Sequence, residues 1–101
     1  MDMRKMMKQA QKMQLELARA QEEIKDFTYT ATAGGGMVSV TAKGDNTIES
    51  VVINPEAVDP EDVEMLEDLI LSAVNEAVRQ ADEMANNEMG KITGGVGNGM
   101  F

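Results

Sequence analysis

Between Met3 and Ile24 the apolar residues stand at Met3, Met6, Ala10, Met13, Leu17, Ala20 and Ile24, in alternating steps of three and four. A heptad of this kind keeps one face of a helix apolar. Gln, Lys, Glu, Ala and Leu fill the places between and are good helix formers, so pattern and propensity together predict one long helix. At Asp26 the period changes to two: Phe27, Tyr29, Ala31 and Ala33 alternate with Thr28, Thr30 and Thr32, which predicts a strand. Gly34-Gly35-Gly36 offers a reversal, Val38 and Val40 alternate with Ser39 and Thr41 in a second strand, and Lys43-Gly44-Asp45-Asn46 makes the next turn. Thr47 to Ile53 reads as a third strand. Its run Val51-Val52-Ile53 is apolar on both faces, which places that end near the sheet centre or against a partner subunit. Asn54-Pro55 ends it, since proline cannot donate to the ladder.

Asp59-Pro60-Glu61-Asp62 supplies an N-cap acceptor, a proline suited to the first helical position, and acids that favour the positive helix end. A second long helix is therefore expected to start there. Val63, Leu66, Ile70, Ala73, Ala77, Ala81 and Met84 carry its stripe, Leu69, Val74 and Val78 widen it, and Gly90 is the expected stop. The predicted fold is α+β: long helix, three-stranded antiparallel sheet, long helix, one domain over residues 1–90 and a flexible glycine-rich tail over 91–101. The helices would run roughly 33 and 45 Å, against a radius of gyration of about 13 Å for a compact chain of this size, so they must project or pack on a partner; a homodimer is expected.

Composition removes several chemistries. The 101 residues include no Cys and no His, which excludes disulfides, cysteine or histidine zinc sites and imidazole catalysis, and fits an intracellular setting. No secretory signal or membrane span is read, and the protein is expected to be cytoplasmic. Carboxylates on a regular surface are the only candidate bases, so no enzyme is expected, and no cofactor. Acids near Asp59–Asp68 lack the spacing of a calcium loop, and the triple glycine lacks the Lys-Ser/Thr of a phosphate loop. With three aromatics, the core is expected to draw on Val, Ile, Leu, Ala and an unusual share of the ten methionines. Met3, Met6 and Met7 are read as core or groove filling rather than soft-metal ligands.

Charge changes the picture most. The chain carries a net −9, which argues against a polyanionic partner until its distribution is seen. Residues 1–20 hold five cations and two acids, a net of +3, so the remaining residues together carry −12. At about 100° per residue Arg4, Lys5, Lys8, Lys12 and Arg19 fall in roughly one 100° sector opposite the apolar stripe, and Lys5, Lys12 and Arg19 repeat every seven residues. The second helix carries nine acids, from Glu61 to Glu88, against Arg79 alone. A straight basic edge of this kind can meet successive phosphates of double-stranded DNA, with Lys25 as a secondary contact and Gln9, Gln11 and Gln14 as the side chains suited to adenine edges. The rival reading is an acidic protein-interaction module whose basic stripe aids solubility.

Met7-Lys8-Gln9-Ala10-Gln11-Lys12-Met13-Gln14, Ala33-Gly34-Gly35-Gly36-Met37-Val38, the block Asp59 to Ile70, Ala73-Val74-Asn75-Glu76-Ala77 and Met89-Gly90-Lys91-Ile92-Thr93-Gly94-Gly95 together resemble the YbaB/EbfC family of bacterial nucleoid-associated proteins. The resemblance runs in order over almost the whole chain. It implies a tweezer-like homodimer whose helices project as arms, which binds DNA, alters its conformation and contributes to nucleoid organisation and gene regulation, without catalysis or cofactor.

Overall fold

The computed structural model describes residues 2–98, with side chains as far as Ile92. Helix α1 spans Met3–Ile24, strands β1, β2 and β3 span Thr28–Ala33, Val38–Lys43 and Ile48–Ile53, and helix α2 spans Val63–Asn98. The order expected from the sequence is the order observed. Asp2 caps α1, its carboxylate accepting from the Arg4 N–H at 2.9 Å. At the other end the Asp26 and Phe27 N–H groups fold back on the Glu23 and Ile24 carbonyls, a tight turn that stops the helix one step before the strand.

The sheet is an antiparallel meander with β2 in the middle. Ala31 lies opposite Val40, and Val40 opposite Val51, so these three side chains share one face. Thr30, Thr41 and Ser50 form the corresponding row on the other face, where the hydroxyls of Thr30 and Thr41 bond at 2.7 Å. Gly34, Gly35 and Gly36 all have φ between 63° and 94°, the left-handed region that side chains resist. The β2–β3 turn is held by Asp45, whose carboxylate accepts from the Thr47 N–H at 3.0 Å and its hydroxyl at 2.5 Å. Those two bonds hold the Asp45 carboxyl below its usual range.

Of the two positions expected for the apolar end of β3, the sheet centre or a partner subunit, the first is corrected. Two short turns force neighbours in sequence to be neighbours in space, so the last strand is an edge, and its apolar residues Val51 and Val52 are exposed. Helix α2 lies over β1 and β2. The core there joins Ala31, Val38, Val40 and Ala42 of the sheet to Ala73, Ala77 and Ala81 of α2, with Tyr29, Leu66, Leu69 and Ile70 at its margin. Small residues on the helix let it sit close to the pleated surface. Burying the two central valines is worth about 2 kcal/mol each. The methionine-rich core is also corrected: among the described residues no methionine is buried, and Met3, Met6, Met7 and Met65 are exposed.

Both ends of the second helix differ from expectation. Asp59 does not cap it; its carboxylate accepts from the Glu61 N–H and its carbonyl from the Asp62 N–H, each at 2.9 Å, closing a turn around Pro60. Asp62 then takes the capping role, accepting from the Met65 N–H at 3.2 Å, and the helix begins at Val63. At the far end the helix does not stop at Gly90 but runs on to Asn98. Ala85, Asn86 and Met89 lie beside Gln21, Ile24 and Lys25, and Glu88 and Ile92 beside Arg19 and Ala20, so α1 supports this stretch against the low helix propensity of glycine. The expected flexible tail thus begins in helix, and its residues 99–101 lie outside the described residues.

The radius of gyration is 19.7 Å and the extents are 71 × 27 × 16 Å. A compact chain of this length would have a radius near 13 Å, so the helices do project.

Candidate nucleic-acid interface

Because α1 is helical from Met3 to Ile24, the sector assigned to its cations exists in the structure. Arg4, Lys5, Lys8, Lys12 and Arg19 are all exposed, and among the described residues none of the five forms an ion pair. Lys5, Lys12 and Arg19 stand about 10 Å apart along the helix axis. The first four occupy the half of α1 that extends past its contacts with α2, where burial is confined to Ala20 and Ile24.

The cations elsewhere are mostly committed. Lys25 bonds Glu22 at 3.1 Å and Lys91 bonds Glu88 at 2.8 Å. Arg79 bonds both carboxylate oxygens of Glu76, at 2.8 and 3.1 Å, and reaches Glu83 at 3.3 Å. The Arg79 hydrogen bonds, followed by that from Gln80, hold the Glu76 carboxyl down to about 2. Lys25 is therefore occupied by its own helix, and Arg19 stands apart from the other four, lining a shallow groove with Glu16, Glu23 and Glu88. The structure brings together Arg4, Lys5, Lys8 and Lys12 and sets Arg19 in a more acidic setting.

Such an edge can neutralise successive phosphates. Residues 1–96 match the YbaB/EbfC DNA-binding family. The chain belongs to this family. It is 55% identical to a nucleoid-associated protein of Ruminiclostridium cellulolyticum, covering 99% of this chain and 89% of that protein. It is 60% identical to a nucleoid-associated protein of Acetivibrio thermocellus, covering 91% and 81%. The crystal structure of uncharacterized protein HP0035 from Helicobacter pylori is similar, with a TM-score of 0.71 at 29% identity, covering 86% of this chain and 91% of that one.

One residue that positions the arm of this YbaB/EbfC protein escapes sequence reasoning. Gly44 reads as an ordinary turn glycine, yet a Cβ there would fall inside the van der Waals shell of the Ile24 carbonyl oxygen, and its N–H donates to the Phe27 carbonyl at 2.8 Å. The end of α1 is thereby seated on the β2–β3 turn. Turn propensity marks the position but not the close approach, which joins residues twenty apart. Among the described residues no helix is long and apolar enough to cross a membrane.

Proposed function

We propose that this YbaB/EbfC protein is a nucleoid-associated protein that binds double-stranded DNA mainly through phosphates, with low sequence specificity, on the edge formed by Arg4, Lys5, Lys8 and Lys12, with Arg19 secondary. In this reading it alters DNA conformation and contributes to nucleoid organisation and gene regulation, with no reaction and no cofactor. The observation that carries it is the unpaired state of those five cations on a projecting helix, in a chain whose Lys25, Arg79 and Lys91 are tied to carboxylates. The names of its relatives support the nucleoid as its place of action.

The test is a salt titration of binding to a short duplex. The logarithm of affinity should fall against the logarithm of salt with a slope of about −0.9 per phosphate met, hence about −4 for one arm. Absence of binding at low salt overturns the reading and favours a protein partner.

The working unit of this reading is a homodimer. Helix α2 leaves the β3 side chains on its own side of the sheet poorly covered: Val51 is 45% exposed, and Val63 and Leu71 of α2 are exposed as well. A second copy laid over β3 and this flank of α2 would bury them. Sedimentation should give twice the chain mass of 11.0 kDa; a monomer at micromolar concentration contradicts the dimer.

A further inference from the structure

One exposed apolar residue of α1 lies off the heptad stripe. Leu15 is 69% exposed, and it comes seven residues after Lys8, four after Gln11, three after Lys12 and four before Arg19. At about 100° per residue it falls inside the basic sector, with Arg4 to one side of it around the axis and Lys8, Lys12 and Lys5 to the other. It stands about 180° from Ile24, the buried residue at which α1 is seated on the β2–β3 turn, so that seat does not cover it. Met3, Met6 and Met7, exposed as well, all fall outside this sector. A leucine among phosphate-binding cations would weaken an edge that met phosphates alone, because it would strip water from a charged oxygen and offer nothing in return. Its place points to an apolar group on the same ligand.

We propose that α1 lies along the major groove of the duplex, with Arg4 reaching one phosphate strand, Lys5 and Lys12 the other, and Leu15 resting on thymine C5-methyl groups at the groove floor. This deepens the DNA-binding reading above and rests on it. The major groove, about 12 Å wide, admits a helix, whereas the minor groove, about 6 Å wide, does not. The thymine methyl is the apolar group that the base edges present in the major groove, and the minor groove presents none. Gln11 stands one turn before Leu15 and about 40° from it, while Gln9 and Gln14 lie about 100° or more away. Of the three glutamines, Gln11 is therefore the one placed to bond the N6 and N7 edge of a neighbouring adenine. Glu22 and Glu23, which repel a polyanion, come about 10 Å or more beyond Leu15 along the axis. Leu15 thus gives a phosphate-binding rod a mild preference for A·T pairs, about fourfold for each methyl it covers.

Uracil differs from thymine by that methyl alone, so a change in the protein can be crossed with a change in the DNA. The full chain should bind a short A·T-rich duplex about fourfold more tightly when it carries thymine than when it carries uracil throughout. Leu15→Ala should lose about fourfold on the thymine duplex and nothing on the uracil duplex, bringing the ratio to about one. Because Leu15 is exposed and alanine is a good helix former, the helical content of the variant and the slope of its salt titration should match the parent. Met6→Ala, about 180° around the helix from Leu15, should keep the parent's ratio. Equal binding of the two duplexes by the parent, or a thymine preference that survives in Leu15→Ala, overturns this inference and leaves the phosphate contact standing. Absence of binding to either duplex at low salt overturns both.

Discussion

Helices α1 and α2 are both long and amphipathic, and they treat charge in opposite ways. On α2 the arginine is enclosed by Glu76 and Glu83, and Lys91 is bonded to Glu88, so its cations serve the helix itself. On the free half of α1 four cations stand on one edge without an ion pair among the described residues. The apolar faces differ as well: that of α2 is buried through Ala73, Ala77 and Ala81, whereas among the described residues that of α1 is buried at Ala20 and Ile24, half-buried at Met13 and Leu17, and exposed at Met3, Met6 and Ala10. A helix with its cations paired and its apolar face buried is a wall of the fold. One with both left open is where the proposed DNA contact is placed, and the acidity of the whole chain conceals it.

The largest effect that would break this contrast is on DNA affinity. Replacing Lys5, Lys8 and Lys12 by Glu should weaken duplex binding by about a thousandfold near 0.1 M salt, with the elution volume unchanged. Arg79→Ala should change it less than about twofold; an equal loss from both variants would remove the distinction between the helices. Next in size is the joint that aims the arm. Gly44→Ala should cost about 3 kcal/mol in urea unfolding, because the added methyl meets backbone that cannot move aside. Ala77→Leu, set against the buried face of β2, should cost about 1–3 kcal/mol. Gly90→Ala should have the opposite sign, stabilising by up to about 1 kcal/mol, since a Cβ there meets nothing within 4 Å and the helix continues through it.

The smallest effect concerns pH. The Glu76 carboxyl is lowered in the folded protein to about 2. Its contribution is therefore present in full above the ordinary carboxylate value and is lost as pH falls towards 2. Glu76→Gln should leave DNA binding unchanged and flatten the acid limb of a thermal-unfolding profile below about pH 4.5. An unaltered acid limb would show that the Arg79 cluster does not distinguish α2 in solution.

The sequence made some of this legible and withheld the rest for identifiable reasons. Periodicity located α1 to the residue, because the heptad from Met3 to Ile24 and the switch at Asp26 agree. It erred at both ends of α2. Asp59 and Asp62 are equally good caps locally, and the Pro60 turn decided between them; Gly90 is a good stop locally, and support from α1 overrode it. The basic edge was readable as an angular sector, but its division was not. That Lys25 is bonded and Arg19 faces Glu88 of α2 depends on rotamers and on a helix far along the chain.

What the sequence by itself determined is therefore local: the type and order of the elements, the glycine reversal, and which side of α1 is basic. These follow from a period of two or 3.6 residues and from backbone sterics. Only the tertiary structure decided that β3 is an edge, that the core is alanine and valine with no methionine buried among the described residues, that Gly44 seats the arm, and that the basic edge stands on a helix half left uncovered. Each of those depends on which distant surface an element meets, and that is set by packing between residues the local pattern does not connect.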